Sequence, residues 1–157
     1  MQLRSLSLFA DYFQFYLWDP GMNPKAPEDY APPDMERRLK TGANVVAIVT
    51  ARNMTVPVTV EIVDAEPSLD INGWDHVAEA SLHLPTGRLQ LHECTGGAVA
   101  DFEVAPGWYR VRSCHGGLDS IDSAGLEGND YYHLVLWPAS HAEVRVVKQA
   151  KSESEVR

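Results

Sequence analysis

The chain has 157 residues, of which 45% are hydrophobic and 22% charged, so it is long enough for one domain with its own core and too apolar for a disordered chain. Asp and Glu outnumber Lys and Arg by 22 to 13, for a net charge of −9, which argues against nonspecific binding to nucleic acid or to an anionic membrane. No apolar run approaches the ~20 residues of a membrane span, and the first residues lack the pattern of a secretory signal. The sequence therefore predicts a single cytoplasmic domain over residues 1–150.

The N-terminal part predicts two strands and then a long loop. Aromatic and aliphatic side chains fill residues 2–19, and the second strand of this stretch is apolar on both faces. Five prolines between residues 20 and 33 cannot supply a ladder of backbone donors, so this segment is predicted as a loop. Residues 34–40 fit one helical turn with Asp34 as its cap, or a charged surface segment.

Two valine-rich runs follow, over residues 42–52 and 55–64. They are joined by Arg52, Asn53 and Met54, and we predict that they pair as a hairpin. In the second run apolar and polar residues alternate, which places one face in the core. Pro57 lacks a backbone donor and therefore predicts an edge position for this strand.

Residues 73–112 have the pattern of a meander, with short runs separated by turns at 85–87 and 106–107. We expect the second of these turns to close a hairpin in which Arg110 and Arg112 point outward. The residues expected to face the core are Ala78, Ala80, Leu82, Leu84, Leu89, Leu91, Ala100, Phe102, Val104, Tyr109 and Val111.

The last part of the chain predicts an acidic, glycine-rich loop over 116–130, then a strand that is apolar on both parities, and then a closing strand with Ala142, Val144 and Val146 inward. Trp74, Leu134 and Leu136 are expected in the core. Residues 151–157 have no apolar periodicity and are predicted to fray. The count of about ten strands with little helix favours an all-β, two-sheet antiparallel β-sandwich over a closed barrel.

Histidine and cysteine are the usual zinc ligands, and His92, Cys94, Cys114 and His115 could approach one another on neighbouring strands. Their spacing matches no zinc finger, and consecutive residues on a regular strand point to opposite faces. A Cys–His nucleophilic pair would need a third, orienting group that the spacing does not supply. We therefore predict two free thiols, no metal and no cofactor.

The strongest candidates for a binding surface lie between residues 119 and 137. Loop carboxylates could hold calcium, although their order is not that of an EF-hand, and a solvated turn is the simpler interpretation. Large side chains at the outward parity of the next strand indicate either burial or a partner surface. The predicted partner-binding residues are Asp119, Asp122, Glu127, Asp130, Tyr131, His133 and Trp137.

Four segments carry a resemblance to known proteins: WDHVAEASL at 74–82, LPTG at 84–87, PGWYRVR at 106–112 and YYHLVLWP at 131–138. They resemble a broad group of uncharacterised bacterial β-domains and are distantly similar to the competence protein J family, small proteins that inhibit a partner nuclease. The resemblance covers about the C-terminal half and depends on structural residues, so it implies a fold and carries over no site residue.

Charge and resemblance together predict a non-enzymatic bacterial protein-binding module of inhibitor or immunity type, with a basic protein as its partner. The alternative is a small-ligand-binding protein or enzyme with a cleft between the sheets, using His133, Tyr131 and His92. A third interpretation is a structural protein that forms a homo-oligomer through edge strands and exposed aromatics.

Overall fold

The computed structural model describes residues 1–151, so the predicted frayed tail lies, from residue 152 onward, outside the described residues. The described chain contains one short α-helix, α1 (Pro32–Arg37), four single turns of 3₁₀ helix, and eleven strands. The strands are β1 (Gln2–Phe9), β2 (Gln14–Trp18), β3 (Leu39–Gly42), β4 (Val45–Val49), β5 (Thr55–Ile62), β6 (His76–Leu84), β7 (Arg88–Glu93), β8 (Gly97–Glu103), β9 (Gly107–Gly116), β10 (Tyr131–Pro138) and β11 (Arg145–Lys148). No helix among residues 1–151 is long and apolar enough to cross a membrane.

The strands form two sheets, which confirms the predicted β-sandwich with little helix. The six-stranded sheet has the order β1-β5-β10-β9-β6-β11, and the five-stranded sheet has the order β3-β4-β2-β7-β8. One pair is parallel, β5 with β10, and the other pairs are antiparallel.

The position predicted for Pro57 is wrong, because β5 lies inside the six-stranded sheet between β1 and β10. The proline is tolerated there because the parallel pairing with β10 begins only at Val58, opposite Tyr132. On the side of β5 that faces β10, residue 57 therefore forms no interstrand hydrogen bond that a proline would remove.

A hydrophobic core fills the space between the sheets. It contains the predicted inward residues of β5 to β9 and both Leu134 and Leu136, while Val104 and Val144 pack at its margin. Each fully buried leucine contributes about 1.5–3 kcal/mol through the apolar surface that it removes from water. Ala142 is exposed and Val146 is half-buried, so the inward face predicted for the closing strand is only partly correct.

At three turns, the prediction that the two consecutive strands pair with each other is wrong. The chain passes from one sheet to the other between β4 and β5, between β6 and β7, and between β8 and β9, so these neighbours in sequence do not pair. In the meander region β7 pairs with β8, and β6 pairs with β9. The turns were located correctly, but each of them joins two layers.

The proline-rich segment covers part of the outer face of the five-stranded sheet, where Ala26 and Tyr30 pack against a small cluster around Tyr16. This cover explains why β2 is buried on both faces. The helix begins two residues earlier than predicted, so Asp34 lies in its first turn and not at its cap. From the first turn, the Asp34 carboxylate accepts a hydrogen bond from the Ala31 amide at 2.8 Å.

The outer face of the six-stranded sheet is also covered, by the connection over residues 63–75. Arg110 and Arg112 point away from the core as predicted, yet both are buried and share the carboxylate of Glu79, which lies 2.9 Å from Arg112 Nε. Arg112 also donates to the Pro67 carbonyl on this connection, at 3.0 Å. The outward parity of this sheet therefore forms a second buried layer.

Candidate functional site

One end of the sandwich holds a cavity with a volume of about 810 Å³. Its walls come from both layers: Arg38 after α1, Thr50 after β4, Asp75 before β6, and the segments 118–123 and 148–151. We call it the end cavity. The cavity lies at the end of the sandwich, whereas the core fills the space between the sheets, and Tyr131, His133 and His92 are not among the residues that line it.

Residues 117–130, the acidic loop, form one wall of the end cavity and have a defined conformation. Asp122 accepts a hydrogen bond from the Leu126 amide at 2.9 Å, and its own amide donates to the Glu127 carbonyl. Backbone N–H groups hold the pKa of the Asp122 carboxyl below its usual value, because they favour its charged form. The loop also packs on the preceding part of the chain, since Asn53 donates to the Gly125 carbonyl.

The four predicted carboxylates of this loop divide into two groups. Asp119, Asp122 and Glu127 are exposed, whereas Asp130 is 1% exposed. Asp130 is bonded to the side chains of Arg52 and Tyr132, so it closes the base of the loop and does not belong to a contact surface. The four do not converge as a calcium site would require, and the described residues hold no cluster of three or more side chains placed for a metal ion.

The predicted aromatic residues of β10 also separate. Tyr131 is 44% exposed and lies beside Trp74, with ring centroids 5.5 Å apart. His133 is half-buried, 3.1 Å from a carboxylate oxygen of Glu61. Trp137 is 3% exposed beneath the guanidinium of Arg112, so it is not available to a partner. The expectation of a core position for Trp74 is wrong, because it packs on the outer face of the sheet.

The proposed zinc ligands do not meet. Cys94 lies in the turn between β7 and β8 of the five-stranded sheet, where it accepts a hydrogen bond from the Tyr16 hydroxyl at 3.3 Å. Cys114 lies on the six-stranded sheet, and His115 faces the other side of that sheet, as strict alternation requires. Both cysteines are free thiols. Burial raises the pKa of Cys114 to about 12, so this thiol stays protonated at neutral pH.

A buried polar network behind the end cavity was missed in the sequence. His76 and His115 are register partners on β6 and β9, and their rings lie 5.2 Å apart. His76 bonds the Arg37 carbonyl and accepts from the Ala150 amide, while His115 bonds the Ser113 hydroxyl at 2.8 Å. The alternation that places Val111 inward would also have placed His115 inward.

These histidines are neutral. Burial lowers the pKa of His76 to about 4 and that of His115 well below its ordinary value, and the nearby positive charge of Arg38 lowers both further. The hydroxyl of Tyr132, whose pKa is raised by burial, accepts a hydrogen bond from the Ala51 amide at 2.8 Å. The network thus forms a firm, uncharged backing for the cavity wall.

Arg38 is another residue that the sequence pattern does not single out, because Arg37 and Lys40 lie beside it in the sequence and all three are basic. It is half-buried in the cavity wall with a left-handed φ of 59°. Lys40, by contrast, is paired with Asp34 at 3.0 Å, and Arg37 is exposed. The helix C-terminus thus directs one arginine inward and leaves its neighbour outside.

These features define a two-sheet β-sandwich with an open cavity at one end and an acidic loop at its rim. The same fold is found in the crystal structure of ComJ from Bacillus subtilis, an inhibitor of the DNA-degrading activity of NucA, with a TM-score of 0.68 and 12% identity over 87% of this chain and 96% of that one. A protein described as crocagin biosynthetic gene J is also similar, with a TM-score of 0.60 and 20% identity over 88% of this chain and 98% of the other.

The two likenesses confirm, at the level of the fold, the distant resemblance to the competence protein J family. They cover both layers of the sandwich, and thus more of the chain than the C-terminal half on which the sequence resemblance was based. No protein-family model matches the sequence, and comparison with curated proteins finds no match.

Proposed function

We propose that this chain is a non-enzymatic protein-binding module of inhibitor type, which acts in the bacterial cytoplasm on a basic protein partner. Its contact surface consists of Asp119, Asp122 and Glu127 on the acidic loop and Tyr131 at the base of the loop. One observation carries the proposal: three exposed carboxylates on an internally bonded loop are followed directly by an exposed aromatic side chain.

The charges favour encounter and the aromatic residue favours retention. Long-range attraction between an acidic patch and a basic partner raises the association rate, while a rigid aromatic anchor that becomes buried slows dissociation. Tyr131 is held for this role because its ring packs against Gly116, where a Cβ atom would clash with it, and against Trp74.

A nuclease is the first partner to test. One structural neighbour is described as an inhibitor of a DNA-degrading enzyme, and a surface that binds DNA phosphates is rich in Lys and Arg. The other neighbour is described by a biosynthetic gene. The basic charge of the partner is therefore the main requirement, and nuclease activity is the secondary one.

The test compares two triple variants of equal charge change. In the first, Asp119→Asn, Asp122→Asn and Glu127→Gln neutralise the acidic loop. In the second, Glu28→Gln, Glu103→Gln and Glu143→Gln remove three exposed carboxylates elsewhere on the surface. Plasmid DNA degradation by an extract of the source bacterium is followed with each protein added, and the nuclease that the unchanged protein inhibits is then purified for binding kinetics.

We expect the unchanged protein and the second variant to slow DNA degradation, and the first variant to do so poorly. Association of the first variant should be slower by about tenfold at low salt and close to normal at high salt, since salt screens exposed charges. Tyr131→Ala should instead raise the dissociation rate. Equal association rates for the two triple variants at every salt concentration would contradict the assignment of the acidic loop.

A further inference from the structure

The end cavity has the size and composition of a small-molecule site as well as a position beside the proposed protein-binding surface. Its volume of about 810 Å³ lies within the roughly 300–1,000 Å³ of typical ligand pockets. Apolar side chains from three segments, Phe13, Met35 and Ile121, share its lining with charged groups of both signs. The sign of the charge that remains without a partner therefore decides which ligands fit.

The cation of Arg38 is without a partner. Within residues 1–151, no carboxylate forms a salt bridge with its guanidinium and no group accepts a hydrogen bond from it, whereas the half-buried Arg52 and the buried Arg110 and Arg112 are all paired with carboxylates. Burial lowers the pKa of Arg38 without removing its charge. A half-buried guanidinium with five unused donors is a strong site for a planar anion.

Three other charged groups of the cavity already have a hydrogen-bond partner. Asp75 accepts a hydrogen bond from the Leu118 amide at 2.9 Å, and Asp122 accepts one from the Leu126 amide. Lys148 donates to the Ile71 carbonyl at 3.0 Å. Each of these groups has a hydrogen-bond partner and the Arg38 guanidinium has none, although Asp75 lies near enough to raise the pKa of Arg38. Arg38 is therefore the most available charge of the lining, and the cavity favours an anion over a cation.

The anion should carry a single charge. The histidines behind the wall are neutral at pH 7, and the Lys148 ammonium is already bonded to the Ile71 carbonyl, so neither supplies a free cation next to Arg38. Asp75 and Asp119 lie in the same lining and would repel the surplus charge of a phosphate dianion. One carboxylate, bound by both arms of one guanidinium, satisfies the site.

We infer that the end cavity binds a small organic monocarboxylate with an apolar body, and that its carboxylate pairs with Arg38. The apolar body packs on Phe13, Met35 and Ile121. This ligand is a free small molecule, and its binding does not depend on the protein partner proposed above.

Calorimetry with defined probes tests the inference. Hexanoate and phenylbutyrate are titrated into the full chain, with hexanamide and phenylbutanol as neutral analogues of the same shape and inorganic phosphate as the dianion. Two variants are compared, Arg38→Met and the matched control Arg37→Met, which changes the exposed neighbour in the sequence. The side-chain Nε–H resonance of Arg38 in the ¹⁵N-labelled protein provides a readout that requires no stable variant.

We expect saturable binding of both carboxylates and a saturable shift of the Arg38 resonance. Arg38→Met should weaken binding by about tenfold or more, the value of a charge-assisted hydrogen bond, while Arg37→Met should leave it within about twofold. The inference is overturned if the neutral analogues bind as well as the carboxylates, if phosphate binds more tightly, if Arg38→Met binds normally, or if the Arg38 resonance does not move.

Discussion

At the scale of the residue, β10 shows that both faces of one strand can be buried for different reasons. Leu134 and Leu136 face the core between the sheets, whereas Trp137 faces the opposite side and is buried beneath Arg112. Hydrophobic burial stabilises the two leucines, and the packing of the Arg112 cation on the ring face stabilises Trp137. The same eight-residue strand thus contributes to two separate interiors.

We expect Leu134→Ala to reduce the free energy of unfolding by roughly 2–5 kcal/mol, because the substitution removes apolar contacts and leaves a cavity in a closely packed core. Urea unfolding followed by fluorescence measures the change. Leu3→Ala is the control, since Leu3 is 63% exposed on the edge strand β1, and its effect should stay within about 0.5 kcal/mol. A loss of well under 1 kcal/mol for Leu134→Ala would contradict the assigned inward face.

At the scale of the element, the connection over residues 63–75 acts as a cover for β6, β9 and β10. Arg112 fastens it by donating to the Pro67 carbonyl while it pairs with Glu79 below. Trp74 at the end of the connection packs on Tyr131 and His133. The cover converts an outward sheet face into a buried one.

Arg112→Met should loosen this cover and destabilise the fold by about 3 kcal/mol, because it leaves the buried carboxylate of Glu79 with a weaker partner. Amide hydrogen exchange measured by mass spectrometry should rise most in residues 63–75. Arg145→Met is the matched control, since Arg145 lies opposite Glu79 on β11 but is exposed. Unchanged exchange in 63–75 would show that Arg112 does not fasten the connection.

At the scale of the whole molecule, the network behind the end cavity ties the two layers together. His76 on the six-stranded sheet bonds the Arg37 carbonyl of α1, and Ala51 beyond β4 donates to Tyr132 on β10. His76 can accept its hydrogen bond from the Ala150 amide only as a neutral imidazole, so the stability of the whole sandwich depends on pH.

Both histidines have folded-state pKa values lowered by burial, so below about pH 6.5 the unfolded chain binds protons that the folded chain does not. Stability is therefore complete above that pH and falls as the pH drops toward about 4. Between about pH 7.5 and about pH 5, His76 should cost about 2 kcal/mol of unfolding free energy, and His115 should add a cost in the same direction.

Urea unfolding at the two pH values checks this prediction. His76→Gln and His115→Gln should each flatten the pH dependence, whatever their effect at neutral pH, because one titrating group is removed. His141→Gln is the control, since His141 is exposed. An equally steep pH dependence in all four proteins would mean that carboxylates, not these histidines, control acid unfolding.

Alternation along the strands was sufficient to predict the sandwich and most of the core, because a residue two positions from Val111 or Leu134 must share its face. It could not predict which strands pair. A turn at 85–87 or 106–107 has the same residues whether the chain returns to the same sheet or crosses to the other layer, and that choice depends on packing between distant segments.

The candidate site was less predictable for the same physical reason. Asp119 and Tyr131 could be placed correctly on the surface, because a glycine-rich loop and the start of a strand are local features. Asp130 and Trp137 could not, since their burial depends on Arg52 and Arg112, which are distant in the sequence. Arg38 has basic neighbours in the sequence, and only the fold distinguishes it from them by placing it in a cavity wall.

The parallel pairing of β5 with β10 has a consequence for synthesis on the ribosome. β1 and β5 join the rest of their sheet through β10, which is made about seventy residues after β5 ends. While the chain emerges, the long edge of β5 is therefore open, and open edges template intermolecular pairing. A nascent chain stalled before residue 131 should recruit chaperones or aggregate, and the release of β10 should end that vulnerable period.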